Sequence, residues 1–262
     1  MSLRSVGLAA ARWMAPCFSS RVAQAGVANC IRFLEALQGI GTGVAFSRAE
    51  LHAVFQLVAE DAPVVFDVGA HTGSFLKEAL ERTRSDSVIH AFEPATASYQ
   101  QLLRKFGGEE RARLNRCALA AVAGTGILFY DVPGSQLASL TPRPRYGVGN
   151  HSEGVPLGTL DDYCRANAVV QIHLLKLDVE GHELEVLEGA GELLQKQALR
   201  RILFEFGGCN VDTRVFFRDI YEFLSDQGMN IARLSPGGAL HAVTQYEECL
   251  ERFATTNYLA TL

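Results

Sequence analysis

The stretch VVFDVGAHTGSF, residues Val64–Phe75, decides the fold. A run of β-branched and aromatic residues meets Gly69 and Gly73, and an amphipathic segment, SFLKEALERT, follows. The pattern reads as a buried strand, a glycine turn and a helix. That unit brings backbone N–H groups and the positive end of a helix to the carboxyl edge of a sheet, where a nucleotide-like ligand is the natural occupant. Dinucleotide sites use G-x-G-x-x-G, in which the second glycine lets a pyrophosphate approach the backbone. Here His71 stands between the two glycines and obstructs that approach, and a P-loop is excluded because no G-K-[ST] follows.

The remaining pattern is acidic-x-Gly-x-x-x-Gly, made by Asp67, Gly69 and Gly73. It suits a ligand with a charged amino-acid tail and no phosphates, namely S-adenosylmethionine. The turn would accept the methionine carboxylate, and Asp67 would hold the ammonium directly or through water. The next strand, in VIHAFEP, ends at Glu93, placed to accept ribose hydroxyls. Ala70, His71 and Pro94 complete the expected cofactor-binding set.

Outward from this unit the chain alternates strand and helix signals. SRAE at Ser47–Glu50 is a capping box that predicts a helix over 48–60. After the first strand come an extended SVIHAFE, a helical ATASYQQLLRKF and an extended RARLNRCALA. TLDD at 159–162 caps a short helix, IHLLKLDV is a buried strand, ELEVLEGAGELLQ is helical and RRILFEFG is a strand. TRVFFRDIYEFLSDQG is helical, and NIARLSP and FATTNYLATL read as closing strands. The alternation predicts an α/β fold, a mostly parallel sheet with helices on both faces. Residues 132–156, rich in Gly, Pro and Ser, are too long for an ordinary connection and read as an active-site lid, the alternative being a disordered insert.

With 262 residues, 48% hydrophobic and 20% charged, the chain has the composition of a globular protein able to bury a sizeable core. No apolar run is long enough to span a bilayer. The net charge of -5 gives no general attraction for nucleic acid. The charge is uneven, however: Arg4, Arg12, Arg21 and Arg32 precede the first acidic residue, Glu35. Such a start resembles an organellar transit peptide or a membrane-surface helix. The uninterrupted helical pattern of RVAQAGVANCIRFLEAL favours an amphipathic helix packed on the main domain. Six scattered cysteines without a C-x-x-C pair argue for free thiols and a reducing, cytoplasmic location. The expected division is a helical extension or cap over 1–60 and a catalytic domain over 61–262.

FDVGAHTGSF, AFEP, NRCALAAVAGTGILFY, the ASL of the lid, TLDDYC, LLKLDVEGHELEVLEGA and LFEF occur in the order seen in FkbM-type methyltransferases. The chain resembles that family from about Pro63 to Leu262. The resemblance implies a class I methyltransferase (Rossmann-like) fold, S-adenosylmethionine as donor, and O-methylation of a hydroxyl on a sugar or secondary metabolite. The family more often carries Asn where His71 stands. No acidic residue follows the third strand, so backbone groups near Cys117–Leu119 are expected to meet the adenine.

Methyl transfer to a hydroxyl needs an aligned acceptor and a base or metal, because the hydroxyl's ordinary pKa is far above neutral. LLKLDVEGHE supplies Asp178, Glu180 and His182 at a strand tip beside the transferred methyl, and Glu205 lies in an otherwise apolar strand, where an acid is costly unless it ends at a polar site. These four are the catalytic candidates, and Asp178 also belongs to the cofactor set. Lys176 is placed by alternation to pair with Glu205. The same carboxylates are hard oxygen ligands, so a divalent cation such as magnesium is a second candidate cofactor. Ser135, Ser139, Arg143, Arg145 and His151 of the lid are candidates for touching a small-molecule or glycan acceptor, with the N-terminal region shaping its pocket. Two other readings remain: a nicotinamide-dependent oxidoreductase, opposed by His71, and a non-catalytic binding protein, opposed by the retained acids. No basic, aromatic-interleaved groove points to nucleic acid.

Overall fold

The computed structural model describes residues 3–262. Ten helices are used below: α1 (Leu3–Met14), α2 (Arg21–Leu37), α3 (Arg48–Gln56), α4 (Ser74–Arg82), α5 (Thr96–Phe106), α6 (Leu160–Ala166), α7 (Glu183–Glu188), α8 (Gly191–Gln195), α9 (Cys209–Thr213) and α10 (Phe217–Asp226). The main sheet contains β1 (Val64–Val68), β2 (Val88–Phe92), β3 (Ala112–Asn115), β7 (Leu174–Leu177), β8 (Arg201–Phe206), β9 (Asn230–Leu234), β10 (Leu240–Val243) and β11 (Thr256–Thr261). A second sheet holds β4 (Ala118–Leu119), β5 (Gly124–Tyr130) and β6 (His151–Gly158).

The main sheet runs β10-β9-β11-β8-β7-β1-β2-β3. Strands β3, β2, β1, β7 and β8 are parallel, and β11 is inserted antiparallel to both β8 and β9. The chain winds outward from β1 to β3, then returns to the other side of β1 as β7. That reversal opens a crevice at the carboxyl ends of β1 and β7, the place where open α/β sheets take ligands.

The pleat divides the core into two layers. Phe66, Val68, Leu175, Leu177, Ile202 and Phe204 face one side, against α6, α7, α8 and α10. Val65, Ile89, Leu174 and Leu203 face the other, against α3, α4 and α5. On that second face the register sets Asp67 of β1 opposite Lys176 of β7. Both side chains are buried, with Nζ of Lys176 3.2 Å from Oδ1 of Asp67 and 3.3 Å from Oδ2 of Asp178. Lys176 also donates to the carbonyl of Gly69 at 2.9 Å.

Several boundaries differ from the sequence reading. The capping box at Ser47 and Glu50 forms, but α3 stops at Gln56, and Glu60 reaches Arg201 at 2.7 Å instead of continuing the helix. Leu51, Val54 and Phe55 of α3 lie in the core, so this helix belongs with the sheet and not to a separate extension ending at residue 60. The expected single strand RARLNRCALA is split between the two sheets as β3 and β4. Residues 151–156, read as lid, form most of β6, paired antiparallel with β5 from Tyr130–His151 to Gly124–Leu157. The expected helix ELEVLEGAGELLQ breaks at Gly189 into α7 and α8; a side chain at Gly189 would meet the Ala120 carbonyl oxygen at 2.3 Å. Strand β10 was not anticipated. Nor does α2 pack as expected: it contains no buried residue.

A buried ammonium between two carboxylates is stable only while all partners remain. Lys176→Met is expected to lower unfolding free energy by about 3–5 kcal/mol, because it leaves Asp67 charged or protonated without a partner in the core. Lys176→Met combined with Asp67→Leu should recover much of that loss; urea unfolding of the three proteins measures it.

Candidate active site

The crevice at the switch point is a cavity of about 750 Å³, within the range of small-molecule sites. The tips of β1, β2, β7 and β8 form its floor. Ser135–Leu140, Arg143 and Tyr146 of the lid, Gly41, Gly43–Phe46 and Phe253–Thr255 complete its walls.

At the β1 tip the backbone turns through two left-handed glycines, Gly69 at φ +81° and Gly73 at φ +87°. Gly69 is required on a second count: a Cβ there would lie 1.8 Å from the Asp178 carbonyl oxygen. Gly73 is the N-cap of α4 and carries no side-chain cap, and Ser74 and Phe75, the first two residues of that helix, line the cavity wall. His71 holds a left-handed conformation at φ +49°, and its Nε2 lies 2.9 Å from the Gly134 carbonyl of the lid.

Glu93 caps the turn from the neighbouring strand. Its carboxylate accepts from the N–H of His71 and of Ala95, both at 2.8 Å. Burial pushes its pKa up to about 7, against the opposing effect of those two donors. Each oxygen keeps acceptor capacity toward the cavity. Ala70 and Pro94 line the same wall, followed by Cys117, Ala118 and Leu119. Asp67 is the exception among the expected cofactor residues. It does not reach the cavity: it is fully buried beneath the floor, and its neighbour is the Lys176 ammonium instead of a ligand.

Beyond β7 the chain reads Asp178-Val179-Glu180-Gly181-His182-Glu183. This tight loop is tied together by the buried Glu183 carboxylate, which accepts from the N–H of Val179 at 3.1 Å and of Gly181 at 3.3 Å. Asp178 is half-exposed at the cavity floor beside Lys176. Glu180, at φ +55°, is gripped by Arg143 at 2.5 Å, and Arg143 also pairs with Asp212 at 3.1 Å and lies over the Tyr146 ring. Burial and the nearby Asp178 carry the Glu180 pKa up to about 7, with Arg143 opposing.

His182 lines the cavity as well. Its Nε2 is 3.1 Å from Thr141 Oγ1 of the lid, and its Nδ1 lies 3.1 Å from a Glu185 carboxylate oxygen. Ser139 of the lid donates to the Glu180 carbonyl at 3.0 Å, and exchanges two backbone hydrogen bonds with Phe129. The lid is thus an ordered strap latched to the β7 loop. Ser135 and Arg143 line the cavity, whereas Arg145 and His151 do not.

Glu205 lies near the end of β8 and lines the cavity. Lys176 is not its partner: the strand register pairs Lys176 with Leu203, and Glu205 sits two residues further along. Burial and the carboxylates of Asp178, Glu180 and Glu183 push the Glu205 pKa up to about 9. Among the described residues no group of three His, Cys, Asp or Glu side chains is arranged to hold a metal ion. Glu180, committed to Arg143, is the ligand the expected magnesium set would lack.

Sequence reasoning did not find Asp212, Tyr146, Gly41, Gly43–Phe46 or Phe253–Thr255. No local motif marks them, since they join the wall only through tertiary packing, as where Gly43 donates to the Thr255 carbonyl at 2.9 Å.

A parallel sheet reversed at β1–β7, an antiparallel strand inserted next to β8 and a glycine turn facing an acid on β2 together define a class I methyltransferase fold. The family description "Methyltransferase FkbM domain" matches residues 67–231, and the chain belongs to that family. It is 31% identical to "Methyltransferase sdnD" of Sordaria araneosa over half of this chain and 61% of that protein. It is 26% identical to "2-O-methyltransferase NoeI" of Sinorhizobium fredii, over 55% of this chain and 63% of the other. The matches thus span about three-fifths of the length of these curated relatives. A crystal structure of methyltransferase FkbM from Methylobacillus flagellatus aligns with 88% of this chain and 60% of its own, at 15% identity and a TM-score of 0.49.

The raised Glu205 pKa has a consequence for stability. Between the ordinary value of 4.5 and about 9 the folded protein holds a proton at Glu205 that the unfolded chain releases, so this residue favours folding less as pH rises. Glu205→Gln is expected to raise the melting temperature relative to the parent near the upper end of that window. The gain should disappear near the lower end; calorimetric scans across the window measure the difference.

Proposed function

We propose that the chain is an S-adenosylmethionine-dependent methyltransferase acting on a hydroxyl of a small-molecule or glycan acceptor. The observation that carries this reading is the convergence of the Gly69 turn, Glu93, Asp178 and Glu205 on one cavity at the switch point. The donor set fits the cofactor part by part. The uncapped start of α4 and the Gly69 turn suit a carboxylate. Glu93 suits the ribose hydroxyls, and the wall from Cys117 to Leu119 with Leu128 suits an adenine face. Asp178 is the exposed acid nearest the turn and replaces Asp67 as the partner for the ammonium.

When bound, the cofactor supplies an electrophilic methyl group on a positively charged sulfonium. The residues of the chain do the rest. Asp178 and Glu205 orient the acceptor hydroxyl, and Glu205 takes its proton; a carboxyl whose proton is held to about pH 9 is a stronger base once ionised than an ordinary glutamate. The lid, latched through Arg143 and His182, excludes water from the reacting atoms. No step requires a metal. The wall carries Glu93, Asp178, Glu180 and Glu205 against Lys176 and Arg143, both already paired. One relative is named a 2-O-methyltransferase, which supports oxygen as the accepting atom.

Two measurements test this. Titration calorimetry with S-adenosylhomocysteine should give an affinity that weakens as pH falls below about 7, since only ionised Glu93 accepts both ribose hydroxyls. Glu93→Ala should lose at least about tenfold, the value of a charge-assisted hydrogen bond; an unchanged affinity would sink the donor assignment. With hydroxylated acceptors, kcat/KM should climb with pH toward about 9, and Glu205→Gln should remove that climb while leaving S-adenosylhomocysteine binding intact.

A further inference from the structure

The cavity leaves one large feature of the molecule unexplained. Helices α1 and α2, joined by a single tight turn at Ala15–Phe18, expose an apolar face among the described residues. Val22, Phe33, Leu34 and Leu37 recur at the spacing of one helical face of α2, and Phe33 is 63% exposed. Trp13, in the last turn of α1, is 84% exposed. The polar side carries Arg21 and Arg32, eleven residues or about three turns apart, and α1 carries Arg12; all three are exposed. Before Glu35 the sequence contains four arginines and no acid. The rest of the chain carries the opposite balance.

We propose that α1 and α2 lie in the interface of an anionic lipid surface and hold the catalytic domain against it. A helix with an aromatic and aliphatic face opposite arginines meets acyl chains with the first and anionic headgroups with the second. No helix among the described residues is long and apolar enough to cross a membrane, so the mode is to lie on the surface. Charge selects the partner: the acidic body of the protein would be repelled from an anionic surface, and only the first 34 residues attract it.

The attachment point connects this surface to the cavity. The last turn of α2 is fixed to the domain by Glu35, which pairs with Arg252 at 2.6 Å. Residues that follow each partner, Gly41, Gly43–Phe46 and Phe253–Thr255, line the cavity wall. A domain held through α2 therefore keeps its cavity rim close to the lipid surface.

Co-sedimentation of the full chain with vesicles tests the proposal. Binding is expected to vesicles of phosphatidylcholine with phosphatidylglycerol and not to phosphatidylcholine alone, and it should weaken as salt is raised. Replacing Arg12, Arg21 and Arg32 with Gln should lower partitioning by roughly 100-fold, from the usual gain per basic residue near an anionic surface. Phe33→Ser with Leu34→Ser should also release the protein. Both variants should still bind S-adenosylhomocysteine as the parent does, which separates this result from the catalytic reading. Equal binding to both vesicles, or to neither, would overturn the proposal. So would a concentration-dependent dimer in sedimentation velocity that Phe33→Ser with Leu34→Ser dissolves, since the face would then belong to a second copy.

Discussion

Lys176 sits where the two halves of the sheet meet, and the cavity is arranged around its ammonium. It is buried, faces Asp67 across the β1–β7 register, touches Asp178 at the strand tip and donates to the Gly69 carbonyl. An isolated charge in this position would be expelled or neutralised. Between two carboxylates and a carbonyl it draws the turn after β1 and the loop after β7 together. The close approach of Gly69 to the Asp178 backbone follows from the same arrangement and excludes any side chain at that glycine. The turn after β1 and the loop after β7 are thereby one rigid unit.

Around that unit the acids divide by partner. Asp67 and Asp178 share the ammonium; Glu180 belongs to Arg143; Glu183 is consumed by backbone N–H groups. Glu93 and Glu205 face the cavity with no cation as close partner, and both hold their protons well above the ordinary carboxylate range because burial disfavours the charge. Both line the cavity with carboxylate oxygens able to accept a hydrogen bond.

Much of this was legible in the sequence. VVFDVGAHTGSF gave strand, turn and helix because period-two and period-3.6 patterns meet at glycines, and Glu93 followed from its place at the next strand tip. The segment KLDVEGHE pointed to the loop after β7, which lies at the cavity. What sequence left open were partnerships set by three-dimensional packing. Alternation put Lys176 and Glu205 on the same face but not two residues apart along it. Asp67 was assigned to a ligand because its depth beneath the floor depends on α3 and α4 closing over that face. The helical pattern of RVAQAGVANCIRFLEAL was read correctly, yet amphipathicity does not say what covers the apolar side. Strand β6 was hidden because HSEGVPLG has a single strong β-former, Val155, beside two glycines and a proline, and its pairing comes from β5.

The lid joins the molecule in a way that separates two kinds of change. Residues 131–150 leave and re-enter through a hairpin of β5 and β6, outside the main sheet, and reach the loop after β7 only through side chains at Ser139, Thr141 and Arg143. The contacts of Lys176 with Asp67, Asp178 and Gly69 do not involve that hairpin. Insertions and substitutions in it away from Gly134, Ser139, Thr141 and Arg143 can therefore redraw the cavity wall while the floor keeps its geometry.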